Sequence, residues 1–369
     1  MPPRVLAVVA RYLRWHTDYL RALAAHADLT VAVSGEVEAG SVDVARAEGL
    51  RVRSIGTIAL AKLRTRLAEI VDECRPDIVH LGWYGHEQLT VLAREVAPQA
   101  RIVFECRDPL TTLLGPTVDA PGPQPVDLER AALEVADAHV FVNRSVRDYL
   151  AALHGLDLSG AAIVPQGAPA RTLAPPSPKL SAGGRPHVAL LGTASTEPAT
   201  GRCYLPLIPE LVGRGLAVHS HFLEPRSGAN DAYRELARAL DGYVAHDEAS
   251  DRDGTAFSRA LSQYDLVVIA YDAGVISDAT LAVVMPMKAA AAWAQGAIPV
   301  VTPSAYRGVV EWIDAYGLGF VADSLDDLVA VAHDRAALAR ATDACLAHRA
   351  EFTHEAGAAT VAARYEQLV

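Results

Sequence analysis

The chain has 369 residues and is 51% hydrophobic, enough for two domains with full cores and too apolar for global disorder. A formal net charge of −11 argues against a nucleic-acid or membrane-surface binder, whose footprint is a basic face. No apolar run of about 18 residues is present to span a membrane, and Arg4, Arg11 and Arg14 interrupt any apolar leader, so a cytoplasmic protein is expected.

Short β-rich runs alternate with amphipathic stretches from end to end. The first half predicts strands at Val5–Ala10, Leu29–Ser34, Leu50–Ile55, Asp77–Leu81, Ile102–Glu105, His139–Asn143 and Ala162–Pro165. Helices are expected at Asp18–Ala27, Ala61–Cys74, Glu87–Val96, Leu128–Ala136 and Ser145–His154, the last with Ser145 as N-cap and Gly155 as its stop. Several strands are apolar throughout, the mark of a sheet covered on both faces. The alternation breaks at Ala174-Pro175-Pro176-Ser177-Pro178-Lys179 and Ser181-Ala182-Gly183-Gly184, a composition that predicts a linker. Strands then resume at His187–Leu191, Ala217–Phe222, Leu266–Ala270, Pro299–Thr302 and Gly319–Ala322, and Glu355–Val369 is a closing helix. The expected architecture is α/β: two Rossmann-like doubly wound domains facing across a cleft. Its predicted boundaries are 1–172, a linker at 173–185, a second domain at 186–350, and a tail at 351–369 returning to the first. Cys74, Cys106, Cys203 and Cys345 are scattered, which fits neither a disulfide framework nor a zinc site.

The stretch from Met285 to Val301 carries the most chemical information. It predicts a loop, a helix opening at Pro286, a stop at Gly296 and a buried strand. Of the 33 basic residues only Lys62, Lys179 and Lys288 are lysines. A chain this biased toward arginine keeps a compact ammonium in the first turn of a helix, where backbone N–H groups already favour an anion. The plain alternative is a solvated surface lysine. In doubly wound sheets ligands lie beyond the carboxyl ends of the strands. The first strand of the second domain runs into Gly192-Thr193, a small-residue turn that lets backbone approach a phosphate, and Arg202 follows as a forked donor. Lys288 and Arg202 are therefore candidate clamps on one diphosphate, with Gly192, Thr193, Pro286 and Met287 on the donor side. His246 and the turn holding Tyr271 and Asp272 are further donor candidates. At the matching edge of the first domain, His16, Asp18, Trp83, Tyr84 and His86 are acceptor candidates, against packed or solvated turns. Arg107 and Asp108 either touch substrate or form a structural ion pair.

The order of these segments resembles a GT-B-fold glycosyltransferase, specifically the retaining, nucleotide-sugar-dependent family 4. Arg75-Pro76-Asp77-Ile78-Val79-His80 resembles the family's Pro-Asp-(Ile/Val)-Val-His strand. Ala136-Asp137-Ala138-His139-Val140 through Ser145 resembles its strand-to-helix turn, and Ile163-Val164-Pro165-Gln166-Gly167 its Ile-Pro-Asn-Gly strand. Pro286 to Val301 is similar to its Pro-x-Lys-x-x-Glu…Gly-x-Pro-Val segment, followed by Gly317-Leu318-Gly319-Phe320-Val321. Arg364-Tyr365-Glu366-Gln367-Leu368 is similar to its terminal helix. The chain departs from the family at three places. Ala291 and Val283 stand where a ribose-binding glutamate and its partner occur, Arg107-Asp108 replaces His-Asp, and the Gly-Gly turn after the first strand is absent.

The resemblance implies transfer of a sugar from a nucleoside-diphosphate sugar to a small-molecule acceptor, with retention and with the leaving phosphate as base. Arg202, Lys288, Arg107 and Asp108 are then the catalytic candidates. No metal or other cofactor is expected, because the cations and a helix terminus supply the charge. A Lys-poor, Arg-rich chain suggests secondary-metabolite biosynthesis by association, and a homodimer is compatible with it. The rivals are an isomerase resembling nucleotide-sugar 2-epimerases and a non-catalytic GT-B protein.

Overall fold

The computed structural model describes all residues except 13, 38–39, 57–59, 84–85, 120–121, 224–228, 247–254, 271–274 and 303–305. The chain divides into two compact units, Met1–Pro165 with His354–Val369, and Gln166–Thr353.

The first unit contains strands β1 (Arg4–Tyr12), β2 (Asp28–Val37), β3 (Arg51–Ser54), β4 (Ile78–Trp83), β5 (Arg101–Cys106), β6 (Ala138–Phe141) and β7 (Ala162–Ile163). They form one parallel sheet in the order β3-β2-β1-β4-β5-β6-β7. Successive β1 residues feed opposite faces. Val5, Ala7 and Val9 join Tyr19, Leu20 and Leu23, whereas Leu6 and Val8 join Leu67, Ile70, Leu89 and Leu92. A strand buried on both sides has no polar face to alternate with, which is why its sequence is continuously apolar. The terminal helix His354–Leu368 contributes Ala358, Val361 and Tyr365 to the first of these cores.

The second unit contains β8 (His187–Thr193), β9 (Ala217–Leu223), β10 (Tyr243–Ala245), β11 (Leu266–Ala270), β12 (Ile298–Thr302) and β13 (Phe320–Val321). All pairings are parallel, in the order β10-β9-β8-β11-β12-β13. Val188 and Leu190 face Leu211, Tyr233 and Leu338, while Ala189 and Leu191 face Leu261, Tyr264 and Ala292. The strand order reverses direction between β1 and β4 in the first sheet and between β8 and β11 in the second. Each unit therefore has one switch point where loops diverge and leave a crevice.

Two local expectations change. The helix Arg144–His154 is capped by Asn143, whose side chain accepts the Val146 N–H at 2.7 Å, so Ser145 lies inside the first turn. Asparagine is as good a cap as serine, and the extended backbone of Asn143 decides between them. The stretch expected as a linker is fastened to the second unit. Leu180 N–H donates to Gln263 O at 3.0 Å, Lys179 Nζ to Tyr264 O at 2.7 Å, and Ser181 Oγ to Asp265 at 2.6 Å. Asp265 is the anchor, because it also accepts the His187 N–H at 2.7 Å and pairs with Arg335. Proline and glycine there mark irregular backbone whose polar groups are satisfied by neighbours.

Candidate functional site

The switch point of the second sheet gathers most of the donor-side candidates. Gly192, the residue before the last of β8, has a φ of 94° that favours glycine, and a Cβ there meets open space. The loop that follows closes through Ser195 N–H to Arg202 O at 3.1 Å. The second helix after β11 is Met287–Ala294, entered from an extended Pro286 and stopped by Gly296 at φ 67°. Its short, Ala-rich first turns bury Lys288 to 9% exposure. Lys288 Nζ donates to the Tyr204 hydroxyl at 3.2 Å. Burial, followed by the charge of Arg202, lowers the Lys288 ammonium to about 7. The Tyr204 contact ties Lys288 to the loop that carries Arg202, and Arg202 is exposed. Met287 presents an exposed side chain beside them. Two cations, a helix N-terminus and an approachable glycine turn after strands of one sheet are groups whose chemistry suits linked phosphates.

Of the remaining donor-side candidates, His246 alone is described. His246 follows β10, two strands away from β8, and belongs to a row of imidazoles. His187 Nδ1 lies 2.8 Å from His219 Nε2, and His219 Nδ1 lies 3.0 Å from His246 Nε2. The His246 ring stacks on His221 at 4.2 Å and 4°. His246 also lines a small hollow with Ser220, Phe222, Tyr233 and Arg234. Tyr271 and Asp272 lie outside the described residues.

In the first unit, His16 follows β1 and His86 follows β4, so both sit at that sheet's switch point. Both are buried. Burial first, then the charges of Arg107 and His86, push the His16 imidazole well below its usual range, and burial lowers His86 to about 3. Asp18 is 3.6 Å from Arg21. Tyr84 lies outside the described residues, and Trp83 is described only as the last residue of β4. Of the two alternatives for Arg107, the structure shows the buried ion pair. Its Nε and Nη2 each lie 3.0 Å from Glu105 Oε1, and its cation rests 5.3 Å from the Tyr19 ring centre. Asp108 is half-buried just beyond it.

Glu105 is the centre of this group and carries no motif of its own. Its Oε2 accepts from the Tyr19 hydroxyl at 3.1 Å and lies 3.1 Å from His80 Nε2, while His80 Nδ1 is 2.5 Å from the Tyr365 hydroxyl. Burial works to raise the Glu105 carboxyl, but Arg107 and His80 overcome it and hold it at about 2. Tyr204 and Tyr233 in the second unit were likewise without a sequence signal. Aromatic residues in an apolar context predict core, and only the hydroxyl positions show otherwise. Ala291 is half-buried and Val283 buried, and neither has a side-chain oxygen to offer a ribose. Among the described residues no group of three or more His, Cys, Asp or Glu is placed to hold a metal, and no helix is long and apolar enough to cross a membrane.

No protein-family model and no curated protein sequence matches the chain. Solved structures do. A glycosyltransferase from Rickettsia africae superimposes with a TM-score of 0.70 at 12% identity, over 100% of this chain and 99% of that one. HepE of Anabaena, in complex with UDP and glucose, gives 0.70 at 11% identity over 99% of both chains. A Listeria monocytogenes protein assigned as a UDP-N-acetylglucosamine 2-epimerase gives 0.61 at 14% identity, over 100% of this chain and 98% of that one. The chain has the GT-B fold, two Rossmann-like domains of the kind that glycosyltransferases share.

Proposed function

We propose that the protein transfers a sugar from a nucleoside-diphosphate sugar to a small-molecule acceptor. One observation carries this: Lys288 is hydrogen-bonded to Tyr204 of the loop after β8 that also carries Arg202, at the switch point of the second sheet. The UDP and glucose bound by HepE support the same donor class. In the proposed reaction an acceptor hydroxyl oxygen bonds to the anomeric carbon. The bond from that carbon to the phosphate oxygen breaks, and the hydroxyl proton passes to the departing diphosphate. Attack from the face the diphosphate leaves preserves the anomeric configuration. The ammonium and guanidinium offset the negative charge growing on the leaving group, which needs no metal ion. Asp108, two residues beyond β5, is the first-domain carboxylate proposed to act on the acceptor.

Charge-assisted hydrogen bonds contribute roughly 1.5–3 kcal/mol each, so Lys288→Ala lowers UDP affinity at least about tenfold at neutral pH. Isothermal titration with UDP measures this, and an unchanged dissociation constant overturns the donor site. The second reading, nucleotide-sugar 2-epimerisation, is favoured by the Listeria likeness. UDP-N-acetylglucosamine incubated alone separates the two: a 2-epimer appears if the isomerase reading holds, and the sugar stays unchanged if transfer holds.

A further inference from the structure

We propose that Tyr204 and Tyr233 are positioning residues that set the Lys288 amine and the Arg202 loop in register for a diphosphate. The proposal rests on the donor reading above and adds the device that holds the two cations together.

Lys288 and Arg202 are 86 positions apart, on the helix that precedes β12 and in the loop after β8. Neither motif specifies how they find a common geometry. The Tyr204 hydroxyl donates to the Ala270 carbonyl, the last residue of β11, at 3.0 Å. A phenol has one proton, so its remaining lone pairs face the Lys288 Nζ at 3.2 Å. The amine is thereby held as donor in either protonation state, tethered to the end of the strand that precedes it. The same residue's backbone N–H donates to the Tyr233 hydroxyl at 2.9 Å, and Tyr233 passes its own proton to the Ser195 carbonyl at 2.9 Å. Ser195 in turn closes the loop to Arg202. A continuous set of hydrogen bonds thus runs from Lys288 through two tyrosines to the backbone that carries Arg202.

Packing makes this bracket stiff. The Tyr204 ring stacks on Phe222 with centroids 5.4 Å apart and planes at 13°, and Phe222 meets Tyr233 edge-on at 4.7 Å. Tyr204 and Tyr233 are both buried. Their rings would serve the core equally well as phenylalanines, so the hydroxyls are what the core does not require. The Tyr204 hydroxyl instead joins the Arg202 loop to Lys288 and the end of β11, and the Tyr233 hydroxyl braces that loop between Ser195 and Tyr204.

The test uses UDP as probe, titrated into the wild type, Tyr204→Phe, Tyr233→Phe and Lys288→Ala between pH 6 and 9. Wild-type affinity falls as pH rises through about 7, because binding favours the ammonium over the amine. In Tyr204→Phe the buried ammonium loses an acceptor. That descent then starts at lower pH, and affinity at pH 8 drops about tenfold. In Tyr233→Phe the Lys288 contact survives, so affinity weakens while the pH descent stays where it was. A purely structural role would move neither profile once the variants are shown to be folded by near-UV circular dichroism. Two folded Phe variants with wild-type curves overturn the bracket. If Lys288→Ala also keeps the wild-type curve, the donor reading fails instead.

Discussion

Glu87 is a carboxylate held in an environment that prefers it neutral. It begins the helix Glu87–Val96, where an acid is favoured by free N–H groups, yet it is 4% exposed. Burial lifts its carboxyl to about 7, its own backbone N–H opposes the shift, and nearby Glu129 adds to it. Because the folded value is above the unfolded one, the fold prefers the protonated form. Stability is therefore lost as pH rises from about 4.5 to about 7, and the full loss persists above that window. The loss is ~3 kcal/mol, since each tenfold change in proton affinity corresponds to about 1.4 kcal/mol. Glu87→Gln keeps the shape without the charge. It should match the wild type near pH 4.5 and exceed it at pH 8 in urea denaturation, and an equal difference at both values contradicts the argument. Such groups are hard to find in sequence. Lys288, Arg202 and Gly192 were legible because turn chemistry and helix ends leave local patterns. The Glu105 cluster was not, since its His80–Tyr365 link joins residues 285 positions apart.

At the scale of elements, apolar runs located the strands well because both faces of each sheet are covered. The ends were less legible. Asn143 outcompeted Ser145 as cap through a backbone conformation that composition does not encode. The helices Ser41–Ala47 and Leu110–Leu114 were missed because five to seven residues are too few for a helical period to show. The terminal helix His354–Leu368 is held by both packing and polar contacts. Tyr365 is buried in the first core, and its hydroxyl reaches His80. Tyr365→Phe removes one hydrogen bond and should cost about 1 kcal/mol, whereas Tyr365→Ala also leaves a cavity and should cost ~3–5 kcal/mol. Hydrogen exchange of the β4 and β5 amides reports both. Equal protection in the two variants would show that the helix is not anchored through this ring.

The whole molecule is two doubly wound sheets, each with its own core and its own switch point, and the proposed donor chemistry belongs to one of them. That asymmetry has a thermodynamic consequence. A ligand stabilises the unit it binds by mass action, roughly 2.7 kcal/mol at a hundredfold excess over its dissociation constant. UDP should therefore raise the unfolding free energy of Gln166–Thr353 first. Exchange protection should begin around Gly192, Tyr204 and Lys288, and the amides of β1, β4 and β5 should respond less. The donor's phosphates are the part of the ligand to which the sequence points, because cations and glycine turns recognise charge. The base and sugar are not encoded in the same way, since Ala291 and Val283 carry no hydrogen-bonding side chain. Pyrophosphate separates these contributions. If it reproduces the protection at Gly192 and Lys288 and leaves the His246 end of β10 unchanged, the phosphates are gripped where proposed. Protection confined to the first unit would place nucleotide recognition on the other sheet.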